Sequence, residues 1–291
     1  VTESGDNHPR TRTALITGAS SGLGKAVARA LAGAGDRVLL VARNRERGEA
    51  ARSELAAATG SDRIELLLAD LASQAEVRRL AADVLGRVAR LHLLVNNAAT
   101  AFRGRGVTED GVERTLAVNH LAPFLLTNLL LDPLRAAAPA RVVNVGTRID
   151  TAMDFDDVNF ERRPYRMMQA YGQSKLGNIH FTRALARRLA GTGVTVNCVF
   201  PGVFLSSLGL HDGAQALWLK LFARLFGWAL PKPEKAAERV LYLLNAPDVA
   251  DISGEYFADR EPIPMPAQAR DEAANERLWG ISAAMTGLDV A

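Results

Sequence analysis

The sequence predicts a single α/β domain built on a doubly wound parallel sheet, and three observations carry that prediction. Short apolar runs of strand length alternate with segments whose apolar residues recur at helical spacing, from residue 13 almost to the C-terminus. The first run, Thr13-Ala-Leu-Ile-Thr17, passes directly into a glycine-rich turn and then a helix. The residues with chemical potential fall just after strands, where a sheet of this kind gathers its ligands.

In chain order, Gly18, Gly22 and Gly24 follow the first strand and lead into the helical Lys25–Ala32 stretch, with Ser20, Ser21 and Leu23 inside the turn. A strand, a glycine turn and a helix N-terminus present backbone N–H groups and a positive helix end to a phosphate, although glycines can also simply close a turn. The second strand, Arg37–Ala42, ends at Arg43-Asn-Arg45. An acidic residue there would bind a free ribose, whereas Arg43 can pair with a 2′-phosphate; Arg45 is the weaker candidate, and both could instead be surface charges opening the helix Glu46–Ala58. The third strand, Ile64–Ala69, is followed by Asp70-Leu71, where Asp70 can meet an adenine amino group or close a turn. Ser73 and Glu76 form a capping box for the next helix. After the strand Leu91–Val95 come Asn96-Asn97-Ala98-Ala99, a glycine-interrupted loop, and a helix expected over 109–131 that contains Asn119.

The fifth strand, Arg141–Val145, ends at Gly146-Thr147, and a polar irregular stretch from Asp150 to Met168 precedes a helix expected over Ala170–Leu189. Near its start Tyr171 and Lys175 lie one turn apart on one face, so a phenol and an ammonium can reach one small molecule. A neighbouring positive charge favours the phenolate, which would suit the pair to proton transfer. A sixth strand, Val194–Phe200, holds Cys198 and ends at Pro201-Gly202-Val203. Beyond it an amphipathic aromatic stretch with Phe204, Trp218, Phe222, Phe226 and Trp228 reads as a lid over 203–232, against the alternatives of membrane contact and plain packing. A helix over Pro233–Leu244, a last strand Gly254–Phe257 and a final helix over Ala273–Met285, with Leu278, Trp279 and Ile281 inward, complete the chain.

Composition narrows the function classes. With 291 residues, 48% hydrophobic and 23% charged, the chain can bury one large core. Its net charge of +3 is small, and the arginines are scattered among acids along the helices, so no nucleic-acid partner is expected. The polar opening Val1–Arg10 reads as part of a flexible arm over 1–12, lacking the apolar core of a signal peptide. No run approaches the roughly 18 apolar residues of a spanning helix. No integral membrane association is expected, and a cytoplasmic location is. The single cysteine is expected to pack in the core, and no metal site is expected.

Together, Thr-Gly-x-x-x-Gly-x-Gly at 17–24, Asn-Asn-Ala at 96–98, Asn119, a hydroxyl at 147, Tyr-x-x-x-Lys at 171–175 and Pro-Gly at 201–202 stand in the order and spacing of the short-chain dehydrogenase/reductase family, which the chain resembles from residue 13 onward. Arg141–Val145, Tyr171–Asn178, Ser253–Phe257 and Glu276–Trp279 resemble its retinol-dehydrogenase-like branch. The resemblance implies a Rossmann-type fold, NADP(H) as cofactor, and interconversion of a carbonyl and an alcohol on a bulky apolar small molecule, by a monomer or homo-oligomer. It implies that Tyr171 is the acid in reduction and the base in oxidation, and that Lys175 lowers the Tyr171 pKa and binds the nicotinamide ribose. Asn119 is implied to interrupt its helix and hold a water leading to Lys175, and Thr147 to replace the usual substrate-orienting serine. The implied cofactor contacts are the turn residues Gly18, Ser20, Ser21, Gly22, Leu23 and Gly24, then Arg43, Asp70, Leu71, Asn97 and Ala98, and finally Tyr171, Lys175, Pro201, Gly202 and Val203. Thr147, Tyr171, Phe204, Trp218 and Phe222 would meet the substrate.

Two departures from the family pattern bear on the site: Thr147 adds a stiff methyl beside its hydroxyl, and Ala99 stands where Asn-Asn-Ala is usually followed by glycine. Two other functions share parts of this pattern. Carbon–carbon double-bond reductases similar to the light-dependent chlorophyllide-forming enzymes use the same tyrosine and lysine, but are marked by several cysteines. A cofactor-sensing scaffold would have no use for an intact Tyr171, Lys175 and Asn119.

Overall fold

The computed structural model describes residues 11–148, 151–202 and 232–289. Eight strands form one sheet in the order β3-β2-β1-β4-β5-β6-β7-β8. They are β1 Thr13–Thr17, β2 Arg37–Ala42, β3 Ile64–Leu68, β4 Leu93–Asn96, β5 Ala140–Val145, β6 Val194–Phe200, β7 Tyr256–Ala258 and β8 Glu261–Pro262. All neighbours pair in parallel except β7 with β8. The order reverses between β1 and β4, the switch point at which such sheets open a crevice at their carboxyl ends. β8, only two residues long and ending in proline, has no strand signal in the sequence.

Strand alternation sends side chains to two cores. Leu15, Leu39, Val41 and Val142 face α3 (Gln74–Leu85), α5 (Ala122–Leu129) and α7 (Met167–Arg188), where they pack with Leu80, Phe124, Phe181 and Leu185. Ile16, Val38, Leu40 and Val143 face α1 (Gly22–Gly33), α2 (Arg45–Thr59) and α8 (Pro233–Asn245), with Val27, Leu31, Leu55 and Val240. After the short α9 (Ala267–Arg270), Trp279 of the last described helix, α10 (Glu272–Thr286), packs edge-on against Phe124 with ring centroids 4.9 Å apart. Of its inward-facing residues, Leu278 and Trp279 are buried and Ile281 only partly so.

The helix expected over 109–131 is instead divided. A turn closed by a bridge between Val107 and Glu113 occupies its first part. It is followed by α4 (Arg114–Leu116), a π-helical turn (Ala117–Leu121), α5, and α6 (Leu131–Ala136). Glu113 caps α4, its carboxylate accepting from Thr115 N and Leu116 N at 2.8 Å each. The expected capping box at Ser73 is half formed: Ser73 Oγ accepts from Glu76 N, whereas the Glu76 carboxylate pairs with Arg79. Arg12, expected within a flexible arm over 1–12, is instead held in place: its guanidinium is bonded to both Asp36 oxygens and its carbonyl accepts from Arg37 N, while residues 1–10 lie outside the described residues.

A row of polar side chains crosses the middle of the sheet. Asn96 and Asn144 are register partners on β4 and β5, and Asn96 Nδ2 donates to Asn144 Oδ1 at 2.8 Å and to Thr127 Oγ1 at 3.0 Å. Asn144 Nδ2 donates to Thr182 Oγ1 at 2.9 Å, and Thr182 in turn donates to the Asn178 carbonyl. All five residues are buried.

Candidate active site

A cleft of about 530 Å³ runs along the carboxyl ends of the strands, and residues following β1 to β6 line it in turn. At the β1 end, Gly18 and Gly22 adopt φ of 65° and 54°, the left-handed region that side chains resist. A Cβ on Gly18 would stand 2.8 Å from Ala98 Cα, so this turn also needs glycine for close approach. Ser21 caps α1 only through its backbone, and the first turn holds no acidic residue. The first-turn N–H groups therefore remain open to an anion beside Ser20, Ser21, Gly22 and Leu23, which line the cleft. Gly24, expected as a cofactor contact, is buried and does not line it. A Cβ there would meet Asn97 Nδ2 and Gly18 O at 2.6 Å each, so Gly24 permits packing beneath the turn.

Asn97 lines the cleft and also braces that turn, donating from Nδ2 to Thr17 O at 2.8 Å and Gly18 O at 3.2 Å. Thr17 completes the brace: its Oγ1 accepts from Asn97 N at 3.0 Å and Ala98 N at 3.1 Å. The sequence motif includes Thr17 but gives it no role, because a threonine ending a strand also satisfies β propensity. Beyond β2, Arg43 is exposed at the cleft together with Asn44 and Arg47. Asn44 Oδ1 accepts from Arg47 N at 2.8 Å as the cap of α2, which turns Arg47 back toward the cleft; Arg45 does not line it. Asp70 lines the cleft with Leu71, and it closes a turn by accepting from Ala72 N at 2.9 Å.

At the β5 end, Thr147, Tyr171 and Lys175 line the same cleft. Lys175 is 2% exposed, and its Nζ donates to the carbonyl of Val145, the last residue of β5, at 2.8 Å. Burial pulls the Lys175 pKa down to about 8, against the opposing influence of Cys198 beside it. Burial raises the Tyr171 pKa and the Thr147 side chain opposes that rise. Lys175, expected to depress the phenol, directs its ammonium at the β5 end, and burial is the leading influence on Tyr171. Thr147 is fixed from the other side, since Tyr256 OH donates to its carbonyl at 2.9 Å. Gly146 is required by what lies beneath, because a Cβ there would be 2.7 Å from Cys198 Sγ. Cys198 is buried as expected, and burial raises its thiol pKa to about 12.

Asn119 lies in the π-helical turn, so the expected helix interruption is present. It is fully buried and does not line the cleft. Its Oδ1 accepts from Thr100 N at 2.7 Å, and its Nδ2 donates to Thr100 O at 2.8 Å and to Ser174 Oγ at 3.0 Å. Ser174 Oγ donates to the Tyr171 carbonyl at 2.8 Å. Asn119 therefore reaches α7 through Ser174. Ala98, Pro201 and Gly202 line the cleft as expected; Val203, Phe204, Trp218 and Phe222, with the rest of 203–231, lie outside the described residues. The walls near the catalytic end also include Phe102, Arg114, Val118 and Phe200, which sequence reasoning did not single out. Among the described residues no helix is long and apolar enough to cross a membrane, and no three His, Cys, Asp or Glu side chains are grouped to hold a metal.

The short chain dehydrogenase family profile matches residues 12–214. The chain belongs to the short-chain dehydrogenase family. Retinol dehydrogenases are among its relatives: the chain is 40% identical to retinol dehydrogenase 13 of Homo sapiens over 283 residues, which cover 96% of this chain and 85% of that protein. A crystal structure of an uncharacterised protein from Mycobacterium Paratuberculosis is similar with a TM-score of 0.74 at 29% identity, covering 95% of this chain and 93% of that one. The RhlG/NADP active-site complex of Pseudomonas aeruginosa is similar with a TM-score of 0.65 at 30% identity, over 85% of this chain and 94% of that one. The protein is accordingly an oxidoreductase of this family, using a nicotinamide cofactor and acting on CH–OH or C=O groups.

Proposed function

We propose that the protein is an NADPH-dependent reductase or dehydrogenase that interconverts a bulky apolar carbonyl compound and its alcohol, with Tyr171 moving the proton. The observation that carries this is the common cleft: a phenol, a hydroxyl and a buried lysine at one end, and an open helix N-terminus with two guanidinium groups at the other. Bound NADP(H) would supply or accept the hydride. The open N–H groups of α1 suit its pyrophosphate, and Arg43 and Arg47 suit a 2′-phosphate where an acidic residue would serve NAD.

In reduction, Thr147 and Tyr171 orient the carbonyl oxygen, and Tyr171 delivers its proton as charge develops there. Burial favours the neutral phenol, which is the donor form. Lys175 holds the β5 end and hence the height of Thr147, and it stands one turn from Tyr171 to bind a ribose hydroxyl. Phe102, Val118 and Phe200 give the substrate an apolar wall.

Turnover of model ketones with NADPH tests the assignment. Tyr171→Phe should lower kcat/KM by about 10²–10⁴ while NADPH still binds. Equal NADPH consumption by wild type and variant would end the mechanism. Arg43→Ala and Arg47→Ala should each weaken NADPH by about tenfold and NADH far less. Equal losses for the two cofactors would refute the phosphate assignment.

A further inference from the structure

We infer that Arg114 is a substrate-recognition residue, and that the preferred carbonyl compounds carry an oxyanion, a carboxylate in the simplest case, on their apolar body. The inference rests on the reaction proposed above and names the class of substrate it takes. Arg114 begins α4 and lines the cleft with Phe102 and Val118, the latter one helical turn further on. Its guanidinium carbon lies 4.1 Å above the centre of the Phe102 ring. The seat is built for it: Gly106 O accepts from Arg114 N at 3.0 Å, and a Cβ at Gly106 would overlap the guanidinium.

Among the described residues this arginine has no partner. Its Nε is sealed from solvent with no hydrogen-bond acceptor. Among the described residues, Arg12, Arg37, Arg163, Arg187 and Arg239 are paired with carboxylates. The adjacent Glu113 is fully buried, and both its oxygens are committed, to Thr115 N, Leu116 N and Tyr165 OH. A half-buried planar cation that is stacked on an aromatic ring, lines a cleft and has no carboxylate partner among the described residues is complementary to a carboxylate or similar oxyanion.

A cofactor phosphate shares that chemistry, but donors for it stand elsewhere, at the N-terminus of α1 and at Arg43 and Arg47 after β2. Arg114 faces the loop after β4 and the apolar walls of Phe102 and Val118. The ligand it fits is therefore amphipathic, with a carbonyl at Tyr171, a hydrophobic body and an anionic end.

The test uses a matched pair of aryl-alkyl ketones, one a terminal carboxylate and the other its methyl ester, with Arg114→Met and Arg114→Lys variants. Wild type should favour the acid by about tenfold or more in kcat/KM. Arg114→Met should lose about tenfold to a hundredfold on the acid, chiefly in KM, and at least tenfold less on the ester. Arg114→Lys, which keeps the charge without the planar fork, should recover part of the loss. A separate binding arm titrates NADP⁺-loaded protein calorimetrically with a saturated aryl-alkyl carboxylate and its amide. Arg114-dependent carboxylate binding without turnover of either ketone would defeat the proposed reaction and leave this assignment standing. Equal treatment of acid and ester by wild type, equal losses on both in Arg114→Met, or a loss confined to NADPH affinity would overturn it.

Discussion

Mild acid should destabilise this protein through two histidines that have no part in the proposed chemistry. His120 and His180 are both buried, between the π-helical turn, α7 and α10. His120 Nε2 meets Ser282 Oγ at 2.8 Å, and His180 Nδ1 meets Asn275 Oδ1 at 2.7 Å. Burial lowers each pKa from 6.5 to about 4, and their mutual repulsion adds to the shift of His120. Asn178 acts in the other direction on His120, and Asn275 and then Asp271 do so on His180. The unfolded chain takes up these protons near pH 6.5 and the folded chain does not. Stability is therefore complete above the unfolded value and falls as pH drops toward 4. At about pH 5 each histidine costs about 2 kcal/mol, so the pair removes about 4 kcal/mol. For a chain of this length that lowers Tm by about 6 °C. Glu276, held down to about 2 by Arg188 and Arg187, loses its contribution only as pH falls below its ordinary value of 4.5, after most of the histidine effect has developed. His92, lowered by partial burial, adds in the same direction as the two buried histidines. Thermal unfolding at several pH values should show this slope, and His120→Gln and His180→Gln should each remove about half of it. A Tm unchanged between about pH 7.5 and about pH 5, or a double variant that keeps the whole slope, would refute the reasoning.

Two further outcomes follow from the catalytic end. Gly146→Ala places a methyl group 2.7 Å from Cys198 Sγ and should cost roughly 1–3 kcal/mol, read as a lowered Tm and reduced activity through displaced Thr147; Cys198→Ala in the same chain should recover part of both. A double variant no better than Gly146→Ala would show that the sulfur is not the obstacle. Thr147→Ser should remain active, whereas Thr147→Val, which keeps the shape and deletes the hydroxyl, should lose roughly tenfold to a hundredfold in kcat/KM. Equal rates for threonine and valine would remove that hydroxyl from the mechanism.

Much of this was legible in the sequence because a parallel sheet puts its functional residues at the ends of strands, where turn chemistry interrupts an apolar pattern. Gly18, Arg43, Asp70, Asn97 and Thr147 each follow a strand, and each lines the cleft. The pattern failed where partners are distant in sequence. Nothing local indicates that Lys175 is bonded to Val145, 30 residues away, or that Gly24 lies under Asn97. The π-helical turn was legible only through the family resemblance at Asn119, because the apolar residues of 109–131 keep helical spacing through it. Arg47 could have been found: Asn44 is a good cap, and its third residue on is turned back toward the strand end. Phe102 and Arg114 lie at an irregular loop and its exit, where no periodicity assigns a face.

The asparagine pair in the middle of the sheet has a consequence for assembly. Parallel strands as apolar as β4 and β5 can slide past each other with little loss of hydrophobic contact. Asn96 and Asn144 forbid this, since a slip would face their amides with valine or leucine and cost about 1–3 kcal/mol for each group left unpaired. They act as an alignment mark between the two halves of the sheet. Because Asn97 follows the first and Gly146-Thr147 closely follows the second, the same mark sets the level of the glycine turn against that of the reacting hydroxyls. A chain that passed this check while folding would already have its two ends of the cleft at matching heights.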